Sequence, residues 1–315
     1  MPTAIEIAAV KLALRAHMGW PWRGKHAHRW HGLPPGIVGL GFGVKRQRGE
    51  VKTRECVRVY IRSKTKNARE RIGRKWIPDT IKGYPTDVIE VNEVRAHAAP
   101  GGSIGNDGVL SGTLGCVVAD TSGSYLLSAW HVLANVAGKD GDPVYMPSRS
   151  QNGQSPLVGR LIATPKFHLN SGSNLFDASV AQIEPGMNVD TAIDGLGALV
   201  LPVIAATLET AVVKQGMATG LTNGVIDGID EEIGINYNGD PNLHAVLTGQ
   251  IAIASSVGQF SDEGDSGALV CTSGPELRPV GLIVAGSNST QNPTAHSFAS
   301  PLQAILDFYQ VTIQP

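Results

Sequence analysis

The chain has 315 residues, 42% of them apolar, and a formal charge of −1. That apolar share excludes wholesale disorder, no apolar run approaches the roughly 20 residues of a membrane span, and three cysteines are too few for a disulfide framework. The near-zero charge hides a division: residues 1–100 hold 20 Lys and Arg against 8 Asp and Glu, a balance of +12, while residues 101–315 hold 6 against 19, a balance of −13. Two units with different surfaces are expected from this.

Residues 1–20 are apolar but carry Glu6, Lys11 and Arg15, so they read as an amphipathic helix and not as a secretory signal. With few cysteines as well, the expected location is cytoplasmic. The segment WPWRGKHAHRWHGLPPG reads as a basic connector. His26, His28 and His31 lack the carboxylate or Cys that would complete a metal site. Short β-like runs follow at 37–44, 56–61 and 87–94, and residues 62–76 pack seven basic residues around one acid. GLGFG at 39–43 lacks the spacing and following Lys of a phosphate loop, so it reads as a glycine-rich strand.

Residues 98–108 read as a Gly/Pro linker between a basic α+β domain at 1–97 and a second domain at 109–315. In the second domain, ten short apolar runs alternate with Gly/Asn/Asp/Ser turns between 114 and 284, which argues an all-β barrel or sandwich. One helix closes the chain, with Ser300 as its expected N-cap, Pro301 in the first turn and Gln303 as the capping partner.

Three local sequences belong together: LLSAWHVL with His131, SGSNLFDASVAQI with Asp177, and SDEGDSGALV with Ser266. A serine hydroxyl is a poor nucleophile at neutral pH. It needs an imidazole to take its proton and a carboxylate to fix the imidazole tautomer. Singly, each residue has an ordinary reading: a tight turn, a packed histidine, a residue leading a strand. Their order His, Asp, Ser, with gaps of 46 and 89 residues in an all-β half, closely resembles the trypsin-like (chymotrypsin-fold) serine peptidases.

This resemblance covers roughly residues 109–310. It implies a double β-barrel with a C-terminal helix, Ser266 as nucleophile, His131 as general base and Asp177 as orienting carboxylate. The Gly264 and Ser266 amides would form the oxyanion hole. Val284, Ala285 and Gly286 would pair with substrate backbone, and Phe260, Ser261, Gly286 and His296 would border the specificity pocket. Phe260 stands where a carboxylate would select Lys or Arg. The residue after His131 is Val132, so Cys116 lacks the half-cystine partner of secreted members. There is no Ile-Val-Gly-Gly-like start, so Asp265 either finds another partner than a new N-terminus or remains solvated. No cofactor is implied, and the partner is a protein or peptide substrate. An α/β-hydrolase is excluded by the order of the three residues and by Ala268, which breaks Gly-x-Ser-x-Gly.

The N-terminal stretch, through IVGLGFGVKR, ECVRVYIRSK and IPDTIKGYPTDVIEV, resembles the segment preceding the peptidase domain in bacterial trypsin-like proteins related to the plant narrow-leaf protein. That implies a fused small domain and assigns it no activity. Its charge suits either docking on the acidic half in cis or a solvated face with no partner. Nucleic acid is the weaker candidate partner, because no recognised nucleic-acid fold is visible and aromatic residues do not interleave with the basic run. The other class of function is a catalytically silent peptide-docking scaffold.

Overall fold

The computed structural model describes residues 3–17, 37–47, 50–61, 71–72, 75–91, 94–96, 104–106, 111–134, 137–149, 155–163, 165–187, 189–237, 240, 242–255, 257–287 and 296–315. His26, His28 and His31, most of the basic run and most of the expected linker lie outside these residues.

Helix α1 (Ala4–His17) buries Ile7, Val10 and Leu14, spaced three and four apart, as an amphipathic helix requires. The strands that follow are β1 (Ile37–Gln47), β2 (Glu50–Ile61), β3 (Arg71–Ile72), β4 (Lys75–Trp76), β5 (Thr80–Ile81), β6 (Tyr84–Glu90) and β7 (Val94–Ala96). Next come β8 (Gly105–Asn106), β9 (Cys116–Ala119), β10 (Ser124–Ser128), the short helix α2 (Trp130–Leu133), β11 (Pro143–Tyr145), β12 (Leu157–Ala163) and β13 (Ser179–Ile183). The last third holds β14 (Ala211–Gly216), β15 (Gly220–Asn236), β16 (His244–Ala254), β17 (Leu269–Thr272), β18 (Pro279–Ser287), β19 (His296–Pro301), the helix α3 (Leu302–Tyr309) and β20 (Thr312–Ile313).

A seven-stranded sheet runs β20-β9-β10-β13-β12-β11-β8. A larger sheet runs β14-β17-β18-β19-β16-β15, and a further β14–β15 pairing closes those six strands into a barrel. The result is a mainly β architecture of two sheets, with the C-terminal helix against β18 and β19. β15 reaches 17 residues, where the sequence pattern predicts only 224–227, because it serves two neighbours in succession. Its first part pairs β14 from Gly220 to Val225, and its later part pairs β1 from Gly228 to Ile233. From β1 the larger sheet continues through β2, β6 and β5.

Strand pairing therefore crosses the boundary expected near residue 100. The N-terminal residues keep a core of their own, made of the α1 residues with Leu40, Phe42, Val57, Val59 and Ile77. They also share one with the barrels, in which Val38, Tyr60 and Val91 meet Leu126, Trp130, Ile233 and Val284. Ion pairs join the same surfaces: buried Lys11 with the exposed Asp230 (3.3 Å) and with Glu232 (3.4 Å), and, fully inside, Arg58 with Asp227 (3.1 Å) and Glu231 (3.8 Å). GLGFG lies within β1, and a Cβ on Gly41 would stand 1.4 Å from the Glu231 carboxylate. Only glycine leaves room there for the buried charge.

The expected cap of the last helix needs correction. α3 begins after Pro301 with no side-chain cap, and Gln303 bonds Asp307. Ser300 belongs to β19, where its hydroxyl donates to Gln250 Oε1 (2.7 Å) and accepts the Asp177 N–H (3.3 Å). A side chain committed to two interior partners is not available to cap a helix.

Candidate active site

His131 sits in the one-turn helix α2, directly after the β10 edge, and is 1% exposed. Asp177 precedes β13 and is fully buried. β10 and β13 are antiparallel neighbours, with Ser128 opposite Ser179, so the two residues flank the same end of one ladder. The Asp177 carboxylate receives three donors: His131 Nδ1–H at 2.7 Å, the His131 backbone N–H at 3.2 Å and the Tyr237 hydroxyl at 2.7 Å. Charge-assisted bonds of this kind compensate a buried carboxylate and fix the imidazole with Nε2 directed away from Asp177.

Tyr237 is itself buried, against the stacked pair Trp130 and Phe167 (centroids 4.1 Å, planes 11° apart). Burial, with the Asp177 charge beside it, holds the Tyr237 phenol well above its ordinary value, so at neutral pH it remains a donor.

Ser266 lies in the larger barrel, in the turn leading to β17. The turn is pinned by the Asp265 N–H to Asp262 O, the Ala268 N–H to Asp265 O and the Gly267 N–H to Ile283 O at 2.7 Å. Gly264 has φ +99°, a region costly for other residues, which turns its peptide so that its carbonyl accepts the Thr113 hydroxyl. Two close approaches bring this turn against the His131 segment. A Cβ on Gly267 would meet Ser128 Oγ at 2.1 Å, and one on Gly112 would lie 2.4 Å from Val132 and 2.7 Å from the Ser266 carbonyl. The Ser266 turn thus packs against the segment that carries His131, where the two sheets meet.

Asp265 has found its partner. Its fully buried carboxylate pairs with Lys214 (3.2 Å) and accepts the Thr219 hydroxyl and the N–H groups of Ala218, Thr219 and Asp262. Burial alone would raise the carboxyl, but Lys214 and these donors hold it below the ordinary Asp value. Lys214, a cation on β14, is thus the charge that balances Asp265.

The expected pocket residues have clear positions. Phe260 is a core residue among Val212, Ile226 and Ile253, and its carbonyl accepts the Thr222 hydroxyl. Ser261 Oγ donates to Ser297 Oγ (2.7 Å). Val284, Ala285 and Gly286 are buried along β18. His296 starts β19, and its Nε2 forms a triangle with Arg58 Nη2 (2.6 Å) and Asp227 Oδ2 (3.1 Å). Arg58 comes from β2, so the N-terminal residues reach this end of the barrel.

Sequence reading missed Tyr237, Gln250, Ser300, Lys214 and Arg58. The only local signature among them, the helix cap at Ser300, points to another role, and each meets its partner across 50 or more positions. Among the described residues no group of His, Cys, Asp and Glu is arranged to hold a metal ion, and the thiols of Cys56, Cys116 and Cys271 are buried and free.

Comparison with solved structures returns the mainly β fold of chymotrypsin-like serine proteases, with a C-terminal helix. A glutamic acid-specific serine protease, described as using a histidine triad in substrate binding, is similar over 69% of this chain and 100% of its own, at 16% identity and TM-score 0.50. Cellulomonas bogoriensis chymotrypsin (18%, 69% and 98%, TM-score 0.47) and Thermobifida fusca protease A (17%, 68% and 97%, TM-score 0.47) align over similar shares. No family model matches the chain, and no curated protein aligns significantly with it.

Proposed function

We propose that the chain is a serine endopeptidase acting through an acyl-enzyme. The observation that carries this reading is the Asp177–His131 pair, in a segment packed against the Gly-Asp-Ser-Gly turn that carries Ser266. Ser266 Oγ attacks the peptide carbonyl while His131 Nε2 takes its proton and then delivers it to the leaving amine. Asp177, held by Tyr237, stabilises the imidazolium. The Gly264 and Ser266 N–H groups receive the oxyanion, a contribution of about 2.7–4 kcal/mol per donor in comparable sites. The strand through Val284–Gly286 receives substrate backbone, which gives affinity without reading side chains.

Lys214 supports activity without a freed N-terminus, since Asp265 already has its cation. Phe260, a core residue with no carboxylate to offer, argues against a trypsin-like taste for Lys or Arg. The N-terminal residues, in a segment similar to those of narrow-leaf-related bacterial proteins, are read as docked in cis. Their support is the β1–β15 pairing and the Lys11 and Arg58 ion pairs. The buried free thiols suit a reducing, cytoplasmic compartment.

Peptide-library cleavage by wild type beside Ser266→Ala tests the reading. Hydrolysis by the first and none by the second is the expected outcome; a folded wild type that cleaves no member of the library contradicts it. A silent scaffold has one observation in its favour, the near-complete burial of Ser266 (0%) and His131 (1%).

A further inference from the structure

Thr113 lies between β8 and β9, outside the three motifs, and is buried. Each of its polar groups has a partner in another segment. The hydroxyl donates to the Gly264 carbonyl (2.8 Å) and accepts the Met217 N–H (3.1 Å). The backbone N–H donates to the Ser266 carbonyl (2.8 Å), and the Thr113 carbonyl accepts the Ser128 hydroxyl (2.7 Å). Gly264 and Ser266 are the residues whose N–H groups were assigned to the oxyanion, and Thr113 holds the carbonyl of each.

A hole made of backbone N–H groups works only while its peptide planes stay aimed at one point. The nucleophile turn is poorly suited to that by itself. Gly264 at φ +99° and Gly267 at φ +89° lie on either side of Ser266, and glycine passes between backbone conformations more freely than any other residue. Within the turn, the Asp265 N–H is held by the Asp262 carbonyl and the Asp265 carbonyl by the Ala268 N–H. The Gly264 and Ser266 carbonyls are held from outside, by Thr113. With the peptide planes before and after it fixed, the Asp265–Ser266 peptide between them keeps its direction, and so does the Ser266 N–H.

The remaining contacts of Thr113 lead to the rest of the site. Ser128 ends β10, three positions before His131. Its Oγ and the Thr113 carbonyl leave no room for a Cβ on Gly267. Met217 precedes Ala218 and Thr219, whose N–H groups bond the Asp265 carboxylate. One residue thus touches the nucleophile turn, the strand leading to His131 and the loop that grips Asp265.

We propose that Thr113 is a positioning residue for the oxyanion hole: its hydroxyl and backbone N–H lock the peptide planes on either side of Ser266, so that the hole is aimed before substrate arrives. This rests on the serine-peptidase reading. Thr113 acts through the turn, so its effect falls on the oxyanion and not on binding of the uncleaved peptide.

The test uses three variants of the full chain. Thr113→Val removes the hydroxyl at nearly constant volume, Thr113→Ser keeps it, and Thr113→Cys differs from the serine variant by one atom, giving a weak donor. Each is assayed with a peptide that wild type cleaves and with the trifluoromethyl ketone of that peptide, whose adduct with serine carries an oxyanion. The kcat of Thr113→Val should fall about 10- to 100-fold with KM within about twofold, Thr113→Ser should stay within about threefold of wild type, and Thr113→Cys should lie between them. The inhibition constant of the ketone should rise in Thr113→Val by the factor by which kcat/KM falls. A merely structural defect lowers the number of active molecules and leaves that constant unchanged in the rest. An unchanged kcat in Thr113→Val, or a lower kcat with an unchanged inhibition constant, overturns the positioning role and leaves the peptidase reading standing. A serine variant as slow as the valine variant also overturns it. If Thr113→Val does not fold, the serine and cysteine variants decide, and equal inhibition constants in the two overturn the role. If wild type neither cleaves any peptide nor binds the ketone, the peptidase reading falls, and the role of Thr113 with it.

Discussion

The two sheets hold their shares of the site in opposite ways. The sheet carrying His131 and Asp177 draws β8 to β13 from one uninterrupted stretch and adds only β20 from elsewhere. The sheet adjoining Ser266 combines strands from residue 37 to residue 301, and buried charges from α1 and β2 anchor its longest strand. His131 and Asp177 are thus positioned by local chain, whereas the sheet that adjoins Ser266 is tied together across more than 200 positions, by Arg58 with His296 and Lys11 with Asp230. A fused basic segment supplies part of the barrel's interior as well as a surface.

Perturbing the two halves should therefore give different signatures. The largest effect belongs to the local half: His131→Ala is expected to lower peptide turnover by about 10⁴-fold or more, and taking this donor from the buried Asp177 carboxylate should lower the unfolding midpoint as well. A variant that keeps a tenth of the activity would show that another group takes the serine proton.

In the composite half the expected loss is of stability. Arg58→Met takes from Asp227 and Glu231 the buried cation they share and should cost about 3–5 kcal/mol in urea unfolding, because one partner of a buried pair is removed. A cost below about 1 kcal/mol would mean that β2 only lies against the barrel.

Glu231 sharpens the same contrast through pH. Burial pushes its carboxyl up from 4.5 to about 8, with the nearby Arg58 charge opposing. A group raised in the folded state contributes stability that is full below its unfolded value and is lost as pH rises through its folded value. Wild type should lose this contribution between about pH 4.5 and pH 8, and Glu231→Gln should flatten that part of the melting-temperature profile. Parallel profiles would contradict it.

The smallest effect returns to the local half. Tyr237→Phe removes one of the three donors to Asp177, a hydrogen bond to a charged group worth about 1.5–3 kcal/mol. Turnover should fall about 10- to 100-fold with little change in KM, and a change in KM alone would place Tyr237 in substrate binding.

How much of this could be read from sequence follows the same division. His131, Asp177 and Ser266 each sit in a short turn-plus-strand signature, and their order could be read without any contact being known. β19 was not legible, since HSFASP has no alternation and ends in a residue that looks like a helix cap. The role of Ser300 appears only when Gln250 and Asp177 arrive from other strands. The charge division near residue 100 was plain, but composition does not tell a solvated arginine from Arg58, which is wholly buried. Glycine at 41 marked a special strand, and the reason lay across the sheet in Glu231.

The most direct measurement is the mass of Ser266 after reaction with a fluorophosphonate, read from the peptide that contains it. Wild type should carry one phosphonyl adduct on Ser266, formed at least about 100-fold faster than in His131→Ala and absent from Ser266→Ala. A folded wild type with no adduct, or one whose labelling rate is unaffected by loss of His131, would contradict nucleophilic catalysis where the two sheets meet.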